Sequence, residues 1–230
     1  MLTFEKAVFQ QGNFTLSADF EVPTGGVTAV IGPSGAGKST LLHGIAGFAP
    51  QVTGQLMWDG QNIAAAPPQD RPVSMLFQDN NLFPHLTVMQ NVALALGPTL
   101  RPGRDKQDRV QDMLTRVGLD GLSDRKPAGL SGGQQSRVAL ARALLQDRPV
   151  MLMDEPFSAL GPALKDEMLD LSVSLAKGRT VVMITHDPAD AGRIADAVIG
   201  VVPGQALPPV ATQTFLTNPP AEMRDYFSPL

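Results

Sequence analysis

Cysteine is absent from the 230 residues of this chain. The chain can therefore form no disulfide and carry out no thiolate chemistry, which fits a reducing compartment. An excess of basic charge is missing as well, because 18 lysines and arginines stand against 22 aspartates and glutamates, a formal net charge of −4. That balance argues against a nucleic-acid-binding protein, although a local basic patch stays open.

Long apolar runs are also missing. No stretch approaches the roughly 18 consecutive apolar residues that cross a bilayer, and the N-terminal residues MLTFEK lack the apolar core of a signal peptide. The hydrophobic content of 43% is ordinary for a globular protein. We therefore expect one large domain, or one domain with a lobe, that does not itself enter a membrane. A role at a membrane through a partner stays open.

A glycine-rich run is the most informative feature that is present. Its members are Gly32, Pro33, Ser34, Gly35, Ala36, Gly37, Lys38, Ser39 and Thr40. The run VTAVI before it predicts a buried strand, and LLHGIA after it is compatible with a helix. Such a loop presents backbone N–H groups to phosphate at the positive end of a helix. Lys38 adds a positive charge for the β- and γ-phosphates and Ser39 a hydroxyl for Mg²⁺, which is the P-loop pattern. The alternative is a glycine turn on the surface.

The apolar patterns predict an α/β fold. Residues 1–31 alternate apolar and polar side chains around a turn at Gly12, which predicts antiparallel strands leading into the P-loop. Apolar runs at 150–153 and 180–184, with a helix at 164–176 between them, predict a right-handed βαβ unit of parallel strands. Further strands are predicted at 55–58 and 73–77, helical segments at 86–127 and 134–146, and a loop at 98–104.

These elements add up to a P-loop NTPase. We predict a mixed core sheet, an antiparallel β edge subdomain and an α-helical insert at about 86–148. A nucleotide-binding domain over residues 1–205 is expected to be followed by a C-terminal tail at 206–230, whose proline-rich composition predicts loose packing.

Two adjacent carboxylates, Asp154 and Glu155, follow the apolar run at 150–153. They stand where the strands of α/β sheets end and bind ligands, and their burial is unfavourable unless they meet a cation or a hydrogen-bond network. Asp154 is predicted to hold Mg²⁺, as a Walker B aspartate does, and Glu155 to be the general base for the attacking water. A helix N-cap with acidic first-turn residues is the alternative.

The segment LSGGQ begins a predicted helix shortly before this acidic strand. It contributes Ser131, Gly132, Gly133 and Gln134. A hydroxyl and free N–H groups at a helix N-terminus suit a phosphate. Because one ATP does not need two such sites, the second is predicted to serve the ATP of another copy of the chain.

Together the P-loop, LSGGQ, the acidic strand end and His186 resemble the nucleotide-binding subunit of ABC transporters over residues 2–205. The resemblance implies ATP and Mg²⁺ as cofactors and a head-to-tail dimer with two ATPs at its interface. It implies that the LSGGQ residues contact the γ-phosphate of the ATP on the opposite subunit. It also implies that Gln78 senses Mg²⁺, the attacking water and the membrane partner, and that His186 contacts the γ-phosphate and supports hydrolysis.

The resemblance completes the set of candidate site residues. The catalytic residues are Lys38, Glu155 and His186, and the metal-binding residues are Ser39, Gln78 and Asp154. An aromatic residue before the P-loop stacks on adenine in this family, and Phe9 is the best placed here. The alternatives are a solvated loop residue for Gln78, an ordinary loop histidine for His186 and a core residue for Phe9.

One position departs from the family pattern. Gly161, the last residue of the segment 158–161 after the acidic strand, stands where the family usually has an aspartate. The change removes a carboxylate thought to help link the two ATP sites, so the coupling between those sites is expected to be altered.

Segments outside these motifs point to an importer. The run NLFPHLTV at 81–88 resembles the start of the helical insert of bacterial importers, which implies a groove for a permease helix with Leu82 and Phe83 exposed. Segments 67–83, 156–160, 162–164 and 167–169 are similar to the ATP-binding subunits of bacterial thiamine importers. That likeness implies a separate permease, a periplasmic solute-binding protein that recognises thiamine or its phosphate esters, and a place on the cytoplasmic face of the inner membrane.

Other functions stay open at this point. The cargo could be a polyamine, a metal or phosphate, and an exporter subunit is a further alternative. A soluble ABC ATPase that works on DNA or ribosomes is the alternative from another class. Against it stand the acidic net charge and the lack of a heptad array or a second ATPase domain.

Overall fold

The strands of the chain join in one mixed sheet, which the computed structural model describes over residues 1–99 and 103–227. The strands are β1 (Leu2–Gln11), β2 (Phe14–Val22), β3 (Val27–Ile31), β4 (Gln51–Trp58), β5 (Gln61–Asn62), β6 (Val73–Leu76), β7 (Val150–Asp154), β8 (Thr180–Ile184), β9 (Ala197–Val202), β10 (Gln205–Ala206) and β11 (Val210–Ala211). The helices are α1 (Lys38–Ala46), α2 (Val88–Ala93), α3 (Arg104–Arg116), α4 (Gly132–Leu145), α5 (Pro162–Leu175), α6 (Pro188–Ile194), α7 (Thr212–Thr217) and α8 (Arg224–Phe227). The strand order is β5-β4-β1-β2-β10-β9-β3-β8-β7-β6, with β11 beside β9. The predicted α/β class with a mixed sheet and an antiparallel edge is confirmed.

The parallel half of the sheet, β9-β3-β8-β7-β6, is covered on both faces. On β7, Val150 and Leu152 pack into the cluster that contains α1, while Met151 and Met153 pack into the cluster that contains α4. This two-sided burial explains why these strands are continuous apolar runs. Because β3, β7 and β8 are parallel, their carboxyl ends lie at one edge of the sheet. The P-loop, Glu155 and His186 follow these three ends.

A bulge in β1 changes which of its side chains face the core. Lys6 has a φ of 44°, and the pairing with β2 shifts register between Phe4 and Ala7. Phe4 is buried before the bulge, and Ala7 and Phe9 are buried after it. The buried face therefore moves from even to odd positions within one strand.

The helical insert contains α2, α3 and α4, whose apolar faces share one core cluster. The helical prediction for 86–127 extended too far, since α3 ends at Arg116 and Gly118 takes a φ of 70° directly after it. Residues 100–102 of the predicted loop lie outside the described residues. Within the part of the chain that the structure describes, no helix has both the length and the apolar character to cross a membrane.

The C-terminal segment packs against β9, so the prediction of a loosely packed tail is wrong. Phe215 and Met223 are fully buried. They approach Gly200 so closely that an added Cβ there would lie 3.0 Å from Met223 and 3.3 Å from Phe215. The short strand β10 also pairs with both β2 and β9. The domain boundary at residue 205 stays a prediction.

Candidate active site

The P-loop joins β3 to α1 and leaves no room for side chains at two of its glycines. An added Cβ at Gly32 would lie 2.1 Å from the carbonyl oxygen of Val201. Gly37 has a φ of 113°, and an added Cβ there would lie 2.8 Å from the Phe14 ring. The loop can therefore bring its backbone N–H groups close to a phosphate, at the N-terminus of α1.

Lys38 is the first residue of α1, and its ammonium group folds back over the loop. Nζ donates hydrogen bonds to the carbonyl oxygens of Gly32 at 2.8 Å and Pro33 at 3.0 Å. Burial lowers the pKa of Lys38, and the charges of Glu155 and Asp154 oppose that shift. The cation thus lies within electrostatic reach of Glu155, the predicted general base, and of Asp154, a predicted metal ligand.

An open cavity of about 410 Å³ lies beside the loop and reaches the end of β7. It is lined by Gln11, Phe14, Ser34, Gly35, Gly37, Lys38, Ser39, Thr40 and Glu155. Of the other P-loop residues, Ala36 is buried in the core. The volume is in the range of small-ligand sites, and the predicted phosphate-binding loop and general base share it.

The aromatic residue beside this cavity is Phe14 and not Phe9. Phe9 is fully buried, and its ring lies only 2.4 Å from where a Cβ on Gly44 would stand. The prediction that Phe9 stacks on adenine is therefore wrong, because the bulge in β1 turns this side chain into the core. Sequence reasoning missed Phe14, although its place directly after the Gly12 turn was a usable signal.

Asp154 ends β7 next to the start of α1. Burial raises the pKa of Asp154, while the charge of His43 and a side-chain hydrogen bond with Ser39 lower it. A carboxylate and a hydroxyl side by side are the hard oxygen donors that Mg²⁺ prefers. Ser39 and Asp154, two of the three residues predicted to bind the metal, therefore have a chemistry that fits Mg²⁺.

Glu155 and His186 meet at the ends of β7 and β8. Glu155 Oε2 lies 3.3 Å from Nδ1 of His186. Glu155 has a φ of 42°, a left-handed conformation that is uncommon for a non-glycine residue and recurs at functional sites. Its side chain is 23% exposed and that of His186 is 60% exposed. The pair combines a shielded carboxylate with an accessible imidazole.

Gln78 lies on the loop after β6, and this loop is tied to α4. The Gln78 amide Nε2 lies 3.5 Å from Ser158 Oγ, on the segment after Glu155. The Arg142 guanidinium donates to the carbonyl oxygens of Asn80 at 2.7 Å and Asn81 at 2.8 Å. Burial lowers the pKa of Arg142. Sequence reasoning missed Arg142, because its partners are backbone carbonyls far away in the sequence.

The LSGGQ residues form the N-terminus of α4. Ser131 Oγ accepts the Gln134 N–H at 3.3 Å, and Gln134 Oε1 accepts the Ser131 N–H at 3.0 Å, which is a capping box. An added Cβ at Gly133 would lie 2.7 Å from Leu164 on α5. Ser131, Gly132, Gly133 and Gln134 do not line the P-loop cavity. That they serve the ATP of a second copy stays a prediction.

Gly161 is the N-cap residue of α5 and offers no side-chain cap. Its φ of −65° and ψ of 156° suit any residue, and an added Cβ would meet no atom of the described residues within 4 Å. We expect Gly161→Asp to raise the free energy of unfolding by about 0.3 kcal/mol, and Gly161→Ala to lie roughly 1 kcal/mol below the aspartate variant. Urea unfolding measures both. Equal stability of the two variants would contradict the capping argument.

Comparisons with known sequences show to which family the chain belongs. The family described as ABC transporter matches residues 16–158. The thiamine import ATP-binding protein ThiQ of Ruegeria sp. (strain TM1040) is 53% identical over 228 residues, which cover 98% of this chain and 99% of that protein. The protein of the same name from Cereibacter sphaeroides is 50% identical over 231 residues, which cover 100% of each chain.

Solved structures give the same result. MJ1267, an ATP-binding cassette of an ABC transporter in its ADP conformation, has a TM-score of 0.88 at 25% identity and covers 100% of this chain and 99% of its own. MJ0796, an ATP-binding cassette solved as a dimer with ADP and Pi, has a TM-score of 0.78 at 27% identity over 92% of this chain and 99% of its own. The chain therefore belongs to the ABC transporter family, as one of its ATP-binding domains.

Proposed function

We propose that the chain is the ATP-hydrolysing subunit of an importer for thiamine or its phosphate esters. The cavity that joins the P-loop to Glu155 carries the argument for hydrolysis. The full-length likeness to two thiamine import ATP-binding proteins supports the cargo. Such a subunit works on the cytoplasmic face of the bacterial inner membrane, where ATP is available.

Hydrolysis follows from the groups around the cavity. The P-loop N–H groups and Lys38 stabilise the charge that develops on the transferring phosphoryl group, which is the largest catalytic contribution in this chemistry. Glu155 accepts the proton of the attacking water. His186, whose Nδ1 lies 3.3 Å from the Glu155 carboxylate, holds the γ-phosphate next to that water.

Ser39 and Asp154 are the residues that would hold Mg²⁺, with Gln78 as the third predicted ligand. When bound with ATP, the metal supplies positive charge to the β- and γ-phosphates. A cation beside Asp154 favours its charged form and so offsets the burial that raises its pKa.

A second copy of the chain is proposed to complete each ATP site. Ser131 and Gly132 are exposed at the start of α4, a helix of 14 residues. The N-terminus of such a helix attracts negative charge. The dimer of MJ0796 with ADP and Pi supports a dimeric arrangement.

Aromatic side chains of the loop after β6, together with Phe48 beside Phe77, are proposed to receive the permease. Phe48 and Phe83 are 54% and 46% exposed. The ring centroids of Phe48 and Phe77 lie 6.1 Å apart, and these two residues border an open cavity of about 220 Å³. Leu82, expected to be exposed, is half-buried against the core of the helical insert. Exposed aromatic rings of this kind fit an apolar segment of a membrane partner.

ATPase activity tests this function. The rate of ATP hydrolysis is measured for the purified chain. It is then measured for the chain reconstituted with the permease encoded next to it in the genome and with the periplasmic solute-binding protein. Stimulation by thiamine-loaded binding protein supports the proposal. If a polyamine, a metal or phosphate stimulates hydrolysis and thiamine does not, the proposed cargo is wrong and the proposed ATPase role stands. If the chain copurifies with nucleic acid and its ATPase rate does not respond to a permease, a soluble ABC ATPase that works on DNA or ribosomes is favoured.

A further inference from the structure

We propose that Lys165 is a positioning residue that holds residues 185–190 in their catalytic arrangement. These residues, named the His186 loop, connect β8 to α6 and include the first turn of α6. The inference rests on the role proposed above for His186. Lys165 lies on α5, one turn after Gly161, and belongs to no motif of the sequence. Its importance comes from the groups that it contacts on the His186 loop.

Lys165 bridges two carboxylates of this loop. Its Nζ lies 3.0 Å from Asp187 Oδ2 and 2.6 Å from Asp190 Oδ1. Asp190 Oδ2 in turn accepts the Thr185 hydroxyl at 2.6 Å. Thr185 Oγ1 accepts the Asp187 N–H at 3.0 Å. Both sequence neighbours of His186 are therefore connected to one ammonium group on α5.

The burial pattern shows that the loop, rather than the imidazole itself, fixes the position of His186. Lys165 is 17% exposed and Asp190 is 10% exposed, whereas His186 is 60% exposed. Charge-assisted hydrogen bonds between shielded groups are stronger and more directional than those in water. An exposed imidazole has few contacts of its own, so its position follows the backbone between Thr185 and Asp187.

The location of Lys165 connects this hydrogen-bond network to the general base. α5 begins at Pro162, at the end of the segment that follows Glu155. Lys165 therefore links the part of the chain next to the general base to the loop that carries His186. An open cavity of about 280 Å³ between these two segments is lined by Ser158, Leu160, Lys165 and His186 among others. Without the bridge, His186 can move away at this cavity from the segment that follows Glu155.

A neighbouring ion pair supplies the matched control. Arg193 on α6 binds Asp166 at 3.2 Å and Asp170 at 2.6 Å, both on α5. The Arg193 guanidinium thus joins the same two helices as Lys165, and its carboxylate partners lie on α5 instead of within residues 185–190. A purely structural effect of losing an α5–α6 ion pair should appear in both variants, and a positioning effect only in Lys165→Met.

The experiment measures kcat and KM for ATP of the full chain, together with its thermal unfolding. We expect Lys165→Met to lower kcat about 10-fold with KM within about twofold, because a small misplacement of a catalytic group slows chemistry more than binding. Lys165→Arg should restore most of kcat, and Arg193→Met should leave kcat unchanged. Thr185→Val removes the hydrogen bond to Asp190 without removing a charge, and it should lower kcat to a similar extent. If Lys165→Met does not fold, this variant tests the positioning role in its place.

A double variant separates this inference from the function on which it rests. If Lys165 acts through His186, Lys165→Met should lower kcat no further in a His186→Ala background. Full activity of His186→Ala alone would remove the proposed role of His186. A normal kcat for both Lys165→Met and Thr185→Val, with His186→Ala impaired, would overturn the positioning role and keep the ATPase.

Discussion

Replacing Lys38 by alanine is expected to lower the rate of ATP hydrolysis by at least about 100-fold. The ammonium group lies over the P-loop, 2.8 Å from the carbonyl oxygen of Gly32, and points toward the cavity that Glu155 also lines. The variant loses the one mobile positive charge of the loop, which is placed to meet the phosphate charge as it develops. Steady-state hydrolysis and the binding of a fluorescent ATP analogue measure the effect.

A second lysine controls for the loss of charge alone. Lys177 is exposed two residues after the end of α5. Lys177→Ala should hydrolyse ATP at the normal rate. Lys38→Arg tests geometry, since it keeps the charge but replaces a compact ammonium by a planar guanidinium. We expect it to stay well below the wild-type rate. Hydrolysis by Lys38→Ala within about threefold of the wild type would refute the P-loop assignment, since the expected loss is about 100-fold.

Replacing Glu155 by glutamine should lower turnover by about 100-fold or more while nucleotide binding is retained. Glutamine has nearly the same shape and can stay within hydrogen-bond reach of His186 Nδ1, 3.3 Å away in the native chain. It cannot take a proton from the attacking water. Because binding survives and hydrolysis stops, ATP should hold two copies together. Single-turnover hydrolysis and size-exclusion chromatography with and without ATP test both consequences.

Glu222→Gln is the matched control, because Glu222 is an exposed carboxylate in the C-terminal segment. It should change neither the rate nor the elution volume. A normal rate for Glu155→Gln would show that another group is the base. If Glu155→Gln hydrolyses ATP slowly but forms no ATP-dependent dimer, Glu155 remains the proposed general base and the proposed dimer of this chain is refuted.

The parts of the site that could be predicted are those set by local patterns. The P-loop needs a strand, close-packed glycines and a helix start in direct succession, so its position was evident from residues 27–46 alone. Asp154 and Glu155 follow a strand whose apolar run is continuous because both faces are covered. Ser131 starts a helix through a capping box that uses only its own first turn. Such signals need no knowledge of the tertiary structure.

The parts that could not be predicted depend on distant contacts. Phe9 was assigned to the adenine because nothing in the alternation of β1 reveals the bulge at Lys6. The proline-rich tail gave no sign that Phe215 and Met223 pack against Gly200. The connections made by Arg142 and Lys165 also join segments well separated in the sequence. Their burial is decided by the fold and not by their neighbours in the chain.

The pairing of β3 has a consequence for how the protein is made. Its residue Val27 pairs with Val181 on β8, and Thr28 pairs with Ala197 on β9. By contrast, β1, β2 and β4 pair among themselves within the first part of the chain. Contacts between distant segments form slowly, since a long loop must close first. On the ribosome, the antiparallel strands can assemble early, but β3 has no partner until β8 and β9 have emerged. The strand that carries the phosphate-binding loop is therefore fixed only after β8 and β9 have emerged, and nucleotide can stabilise the nascent chain only from that point.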